Sequence, residues 1–308
     1  MKPLAITLGD PAGIGAEVVL KALAGVPYPA VLFGSRRHAA AAGPIPERVR
    51  FIETGDVADS VEPGRISADA GRIALASIDA AVAAIAAGEC SALVTAPIHK
   101  QAIALAGSPF PGHTELLAER AGRIRYGHDY AMYFDSPTIR TVLLTVHLSL
   151  RKAIDAIDAE SVAALAQLTS REYFRLYGER PRIAVAGVNP HAGEGGKFGD
   201  EELEIARGIA EAAAAGVNIT GPHAPDTVFL GARRGSCDVV MAMYHDQGLI
   251  AVKTTEFERS VNVTIGLPYL RVSVDHGTAF DIAGKGIADA EPMRYAIEWA
   301  SRHCGRYA

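Results

Sequence analysis

Residues 160–191 read ESVAALAQLTSREYFRLYGERPRIAVAGVNPH, and they cross from one structural period to another. Over Glu160–Tyr177 the apolar residues Val162, Leu165, Leu168 and Leu176 fall near one face of a 3.6-residue helix. Gly178 and Pro181 interrupt the pattern, and Arg182–Val188 follows as a short apolar run that reads as a buried strand. The run ends in His191, just past its carboxyl end. The same alternation extends in both directions. Leu4–Leu8, Ala30–Phe33, Ala92–Thr95, Ile139–Val146 and Asp238–Tyr244 read as strands. Ala70–Ala87 reads as a helix with Gly88 ending it, and Glu201–Ala214 as a helix with an acidic start. Alternating strands and helices predict an α/β fold with a mostly parallel sheet.

Composition sets outer limits. The chain has 308 residues, room for one large domain or two ordinary ones. About half of its residues are apolar, 49%, so a sizeable core is expected. Thirty Lys and Arg face 35 Asp and Glu, for a formal charge of -5. That balance argues against nucleic acid or an anionic membrane as partner, because both favour a basic face. It leaves room for an anionic small substrate held by a local cluster of cations. Cys90, Cys237 and Cys304 are far apart and form no C-x-x-C pair, which predicts reduced thiols in a cytoplasmic protein. The run Leu4–Leu8 is too short for a secretory segment, and no apolar stretch approaches the roughly 20 residues that span a bilayer.

The histidines are the informative residues. His147 follows TIRTVLLTV, His191 follows RIAVAGVNP and His245 follows DVVMAMY. Each stands at or just past the carboxyl end of an expected strand, where open α/β sheets bind ligands. A single histidine in such a place is ordinarily a hydrogen-bonded loop residue. Three in the same topological position suggest neutral imidazoles converging on a divalent ion of the Zn, Co or Mn type, with open positions for substrate. Asp246, beside His245, and Asp226, in GPHAPDTVF, are candidates to orient a ligating imidazole or take up a proton; both also suit a loop cap.

Several loops can meet an anion. GDPAGIG, residues 9–15, joins a strand to a helix through glycines that permit close backbone approach, although a tight turn alone explains it. It is not G-x-G-x-x-G, and GGKF at 195–198 lacks the Ser or Thr of a Walker A loop. Neither a Rossmann dinucleotide site nor P-loop chemistry is expected. PGHTELLAE, residues 111–119, sets His113 and Thr114 before a helical pattern, with Thr114 as a candidate N-cap. Lys253, Asn262 and Arg271 surround FERSVNVTIGLPYLR and make an anion pocket plausible.

Taken together, GDPAGIG, VTAPIHK, PGHTELLAE, GVNPHAGEGGKFGDEE, MAMYHDQG and VNVTIGLPYLRVSVDHGTAFDIAGKG resemble the 4-hydroxythreonine-4-phosphate dehydrogenase family of vitamin B6 biosynthesis. The resemblance runs from Leu4 to about Ala290. HGTAFDIAGKG also resembles the nucleotide loop of isocitrate and isopropylmalate dehydrogenases. The resemblance implies an isocitrate/isopropylmalate dehydrogenase-like fold of two α/β/α domains, residues 1–115 with 265–308 and residues 116–264, with a cleft between them. It implies a homodimer with shared active sites. It assigns His147, His191 and His245 to a metal, Zn or alternatively Mg, Mn or Co. It assigns His113, Thr114, Lys253, Asn262 and Arg271 to substrate. His276, Gly277, Thr278, Ala279 and Asp281 are assigned to NAD; no strong clamp for a 2′-phosphate is visible, so NAD is expected over NADP. Asp246, Lys253 and Asp226 remain as catalytic candidates, with the general base open between Asp246 and Lys253.

The implied reaction is metal-dependent, NAD-linked oxidation and decarboxylation of 4-phosphohydroxy-L-threonine. Paralogues of the family act on 4-phospho-D-threonate or 4-phospho-D-erythronate and share nearly all the motifs. Ser260 before Val261–Asn262, and TTEF at 254–257, depart from the usual pattern near the substrate loop. Two readings from other classes stand beside these. One is a zinc hydrolase using the same three histidines, which leaves HGTAFDIAGKG without a role. The other is a non-catalytic protein that binds a phosphorylated ligand or a metal.

Overall fold

The computed structural model describes residues 2–55 and 61–307. The chain divides into two compact units, Met1–Ala121 with Pro268–Ala308, and Gly122–Leu267. The first unit holds β1 (Leu4–Thr7), β2 (Ala30–Gly34), β3 (Arg50–Glu53) and β4 (Leu93–Thr95), with the chain's last strand, β11 (Arg271–Ser273). They lie in the order β3-β2-β1-β4-β11, all parallel. β1, β2, β4 and β11 are buried along their whole length, as parallel strands covered by helices must be. The second unit holds β5 (Ala131–Asp135), β6 (Arg140–Leu143), β7 (Ile183–Ala186), β8 (Ile219–His223), β9 (Val239–Ala242) and β10 (Val261–Ile265). Their order is β10-β5-β6-β9-β7-β8. β10 to β5 and β5 to β6 are antiparallel, while β6, β9, β7 and β8 pair parallel in turn.

The six expected strands all form; β2 runs one residue past its expected end, to Gly34, and the other five are trimmed to their paired residues. Among the described residues five more strands form that were not read from the sequence. β3 and β8 are sheet-edge strands with exposed residues, and β8 carries Gly221 and Pro222 in ITGPH, which mask a strand pattern. β11 has only three residues.

Local chemistry explains the helices. Ser67 Oγ accepts the Ala70 amide at the start of Ala68–Ala86, and Asp158 Oδ1 accepts the Ser161 amide at the start of Ala159–Tyr177. Gly88 follows the first of these helices with φ of +73°, and Gly178 ends the second at +81°. Helix Ala159–Tyr177 packs on Glu201–Ala214 at backbone contact: a Cβ on Gly208 would lie 2.6 Å from the Ala159 carbonyl oxygen. All three cysteines are free and buried, and burial raises the Cys90 and Cys237 thiols above their ordinary pKa.

In the first unit, His38 sits part-buried on helix Arg36–Ala42, and its Nε2 has no hydrogen-bond partner among the described residues. Burial lowers its pKa to about 4 from 6.5. Above the unfolded pKa both states are neutral and His38 contributes nothing to pH dependence. As pH falls, the unfolded chain takes up a proton that the folded imidazole refuses, so stability drops by up to about 2–3 kcal/mol. His38→Phe should flatten the fall in urea-unfolding free energy between about pH 7 and pH 5. Slopes equal to those of the unaltered protein would show that His38 is not the linked group.

Candidate active site

Parallel pairing sends the carboxyl ends of β6, β9, β7 and β8 to one edge of the second unit. His147 lies beyond β6, His245 beyond β9 and His191 beyond β7. The His147 and His245 rings stand 5.8 Å apart, tilted by 39°. His245 Nδ1 lies 2.7 Å from Asp246 Oδ1. With Nδ1 donating to that carboxylate, Nε2 keeps its lone pair, the usual arrangement of a ligating imidazole. A cavity of about 190 Å³ beside the pair is lined by His147, Leu148, Leu150, Tyr244, His245 and Asp246. A more open groove of about 390 Å³ runs along helix His245–Glu256, past His245, Asp246, Leu249 and Lys253.

His191 is not gathered with the other two. It is exposed, and its ring centroid lies 6.3 Å from that of Phe198. Among the described residues no three His, Cys, Asp or Glu side chains come close enough together to hold a metal ion. The donor chemistry of the His147–His245 pair, with Asp246 behind it, fits a borderline divalent cation; the third donor does not join it here.

The backbone at this edge is strained. His147 has φ of +54°, and His191, Ala192, Gly193, Glu194 and Gly195 form a consecutive left-handed run. Non-glycine residues held there cost energy and cluster at functional sites. Buried Glu202 anchors the start of this loop. Its Oε1 accepts the Val188 amide at 2.9 Å and the Asn189 amide at 2.7 Å, and its Oε2 accepts Asn189 Nδ2 at 2.9 Å.

The remaining assigned residues divide between the units. Lys253 lies on helix His245–Glu256 with its Nζ 5.9 Å from the Phe257 ring centroid. Asn262 is on β10, with a buried Oδ1 that has no hydrogen-bond partner among the described residues. Asp226 is exposed in the turn before helix Val228–Arg233 and is not among the residues lining the cavity. In the first unit, helix His113–Arg120 starts after Gly112, so Thr114 is not the N-cap expected from sequence; it is buried in the first turn. The hydroxyl of Thr114 lies two residues past the cap position, inside the helix.

Arg271 is buried, donates from Nη2 to Thr95 Oγ1 at 2.9 Å, and is lowered by burial to a pKa of about 10. It is still a cation at neutral pH. Burial, with the Arg271 charge beside it, holds His113 well below its ordinary pKa. A neutral imidazole and a dehydrated guanidinium thus stand together, a setting that favours an incoming anion. Tyr269, raised by burial to about 12, is a neighbour that the sequence reading did not single out.

The 276–281 segment packs on the GDPAGIG loop. The Ile14 amide donates to the Thr278 carbonyl at 3.1 Å, and a Cβ on Gly13 would lie 2.9 Å from the same oxygen. Thr278 is buried, Gly277 and Asp281 are exposed, and Ala279 has φ of +44°. His276 Nδ1 contacts the Gly277 carbonyl at 3.0 Å. Phe280 stacks on His99, ring centroids 4.7 Å apart.

A sequence profile for the family described as pyridoxal phosphate biosynthetic protein PdxA matches residues 10–300. The chain belongs to the PdxA family. Among PdxA relatives, a 4-hydroxythreonine-4-phosphate dehydrogenase of Beijerinckia indica is 44% identical, over 97% of this chain and 94% of that one. A D-threonate 4-phosphate dehydrogenase of Salmonella typhimurium is 40% identical, over 97% and 98%. The crystal structure of a 4-hydroxythreonine-4-phosphate dehydrogenase from Klebsiella pneumoniae superposes with a TM-score of 0.86 at 40% identity, covering 98% of this chain and 99% of that one. A β-decarboxylating dehydrogenase of Thermococcus kodakarensis shares the fold, at a TM-score of 0.50 and 15% identity. The PdxA chain therefore has the isocitrate/isopropylmalate dehydrogenase-like fold expected from HGTAFDIAGKG. No helix among its described residues is long and apolar enough to cross a membrane.

Removing the Glu202 carboxylate should leave the Val188 and Asn189 donors without their acceptor. Glu202→Ala is expected to lower unfolding free energy by about 2–4 kcal/mol in urea titration. A loss below about 0.5 kcal/mol would mean that water replaces the carboxylate freely.

Proposed function

We propose that this chain is a 4-hydroxythreonine-4-phosphate dehydrogenase that works in the cytoplasm as a homodimer, with NAD and a divalent metal. The match to the PdxA family over residues 10–300 carries this reading. The imidazole pair at the carboxyl edge of β6 and β9, backed by Asp246, supports the metal assignment. His147 and His245 would hold the ion, with His191 completing the set from the adjacent strand end. A divalent ion so held would polarise the substrate hydroxyl and stabilise charge on oxygen, and NAD would accept the hydride.

The protein's own residues do the rest. Arg271, His113 and Thr114 supply a buried cation and hydrogen-bonding groups for an anionic end of the substrate, while Lys253 and Asn262 serve as further anion and hydroxyl contacts. Asp246 orients the His245 ring; Asp246, Lys253 and Asp226 are the groups proposed to move protons, with Asp246 and Lys253 the two candidates for base. His276, Gly277, Thr278, Ala279 and Asp281 form the proposed nucleotide loop, and its packing on GDPAGIG gives it a fixed base.

A second reading keeps the reaction class and changes the substrate to 4-phospho-D-threonate. The 40% identity to a D-threonate 4-phosphate dehydrogenase over 97% of the chain favours it specifically. NAD reduction followed by absorbance, with each substrate in turn and added Zn²⁺, Mn²⁺ or Mg²⁺, separates the two. Turnover with 4-phosphohydroxy-L-threonine, lost on chelation and restored by metal, is expected. Preference for the threonate would move the enzyme to sugar-acid catabolism, and silence with both would reopen the hydrolase. His191→Ala should abolish turnover while the protein stays folded by circular dichroism; near-normal activity would remove His191 from the mechanism.

A further inference from the structure

The ladder between β7 and β9 stops at Val185 and Met241, before either strand reaches its histidine. Beyond that point a side chain takes over. Gln247 Oε1 accepts the Met243 amide at 2.7 Å, and Gln247 Nε2 donates to the Gly187 carbonyl at 2.8 Å. The carboxamide thus continues the ladder, with one acceptor facing β9 and one donor facing β7. Glutamate has the acceptor but lacks the donor, and leucine has neither.

The base of this side chain is itself fixed. Gln247 stands in the first turn of helix His245–Glu256, next to Gly248. A Cβ on Gly248 would lie 2.6 Å from Leu143 Cδ2 and 3.1 Å from Thr141 Oγ1, so the helix is seated directly on β6. Thr145 Oγ1 donates to the Met243 carbonyl at 2.8 Å, joining the end of β6 to the end of β9. The Gly187 amide donates to the His223 carbonyl at 2.8 Å, joining β7 to β8. Gln247 is the link between these two pairs of strand ends.

We propose that Gln247 is a positioning residue, which sets the spacing between the β9 end bearing His245 and the β7 end from which the His191 loop departs. It touches no reacting atom. Its effect is on how far His191 must travel to reach the His147–His245 pair. The inference rests on the reading of those three histidines as one metal site.

The test uses the full-length protein with Zn²⁺ alone as probe. Zn²⁺ affinity is measured by competition with a chromophoric chelator for the unaltered protein, Gln247→Leu and Gln247→Glu. Imidazole ¹⁵N shifts are recorded without metal, with His113 of the other unit as internal control. Both variants should bind Zn²⁺ about 10- to 100-fold more weakly. The melting temperature should fall by no more than about 4–8 °C, with the variants still folded. His191 and His245 shifts should move while His113 stays. Gln247→Glu keeps the Met243 contact, so it guards against a leucine variant that fails to fold. Unchanged Zn²⁺ affinity and unmoved His191 and His245 shifts in folded variants would overturn the proposal. If the unaltered protein takes up no Zn²⁺, the metal reading falls, and the imidazole shifts alone then decide whether Gln247 positions the histidines.

Discussion

Parallel pairing of β6, β9, β7 and β8 is the constraint on which the candidate site depends. A parallel strand begins at one edge of the sheet and ends at the other, so four strand ends must emerge together. Residues distant in sequence, at 147, 191 and 245, are thereby delivered to one surface without any local motif. The ladders cannot finish that task, because strands splay once their hydrogen bonds stop. Side chains then determine what the loops do. Thr145, Gln247 and Glu202 each use polar atoms to hold backbone beyond the last ladder pair.

The two units handle charge differently. Around His147 and His245 the side chains remain reachable from a cavity, and the carboxylate of Asp246 is on the outside. Around Arg271 the charge is buried, and its neighbours His113 and Tyr269 are held neutral near physiological pH. The first arrangement suits a group that must exchange ligands. The second suits a fixed counter-charge, whose low local dielectric strengthens any anion contact it makes.

Much of the fold was legible because buried parallel strands are continuous apolar runs, as at Leu4–Thr7 and Val239–Ala242. β3 and β8, at sheet edges and half exposed, lack that signature. For the site, a strand end followed by histidine was a usable signal, and it located all three imidazoles at one edge. It could not show that two of them approach while His191 stands toward Phe198, because that depends on the left-handed run from His191 to Gly195. Thr114 was misread as a cap since Gly112, with an extended backbone and no side chain, starts the helix instead. Gln247 lay in plain view in MAMYHDQG, but a glutamine carries no charge to draw notice, and its value appears only when two strand ends are seen on either side of it.

The burial of Cys90, Cys237 and Cys304 has a practical consequence for chemistry done on this protein. Thiol reagents attack the thiolate, and burial both shields these sulfurs and, for Cys90 and Cys237, suppresses ionisation. A cysteine introduced on an exposed position, such as Ile250 beside the groove, would therefore be labelled ahead of the native three. The native chain is thus already suited to site-selective attachment of a dye or spin label, without first replacing any of its own cysteines.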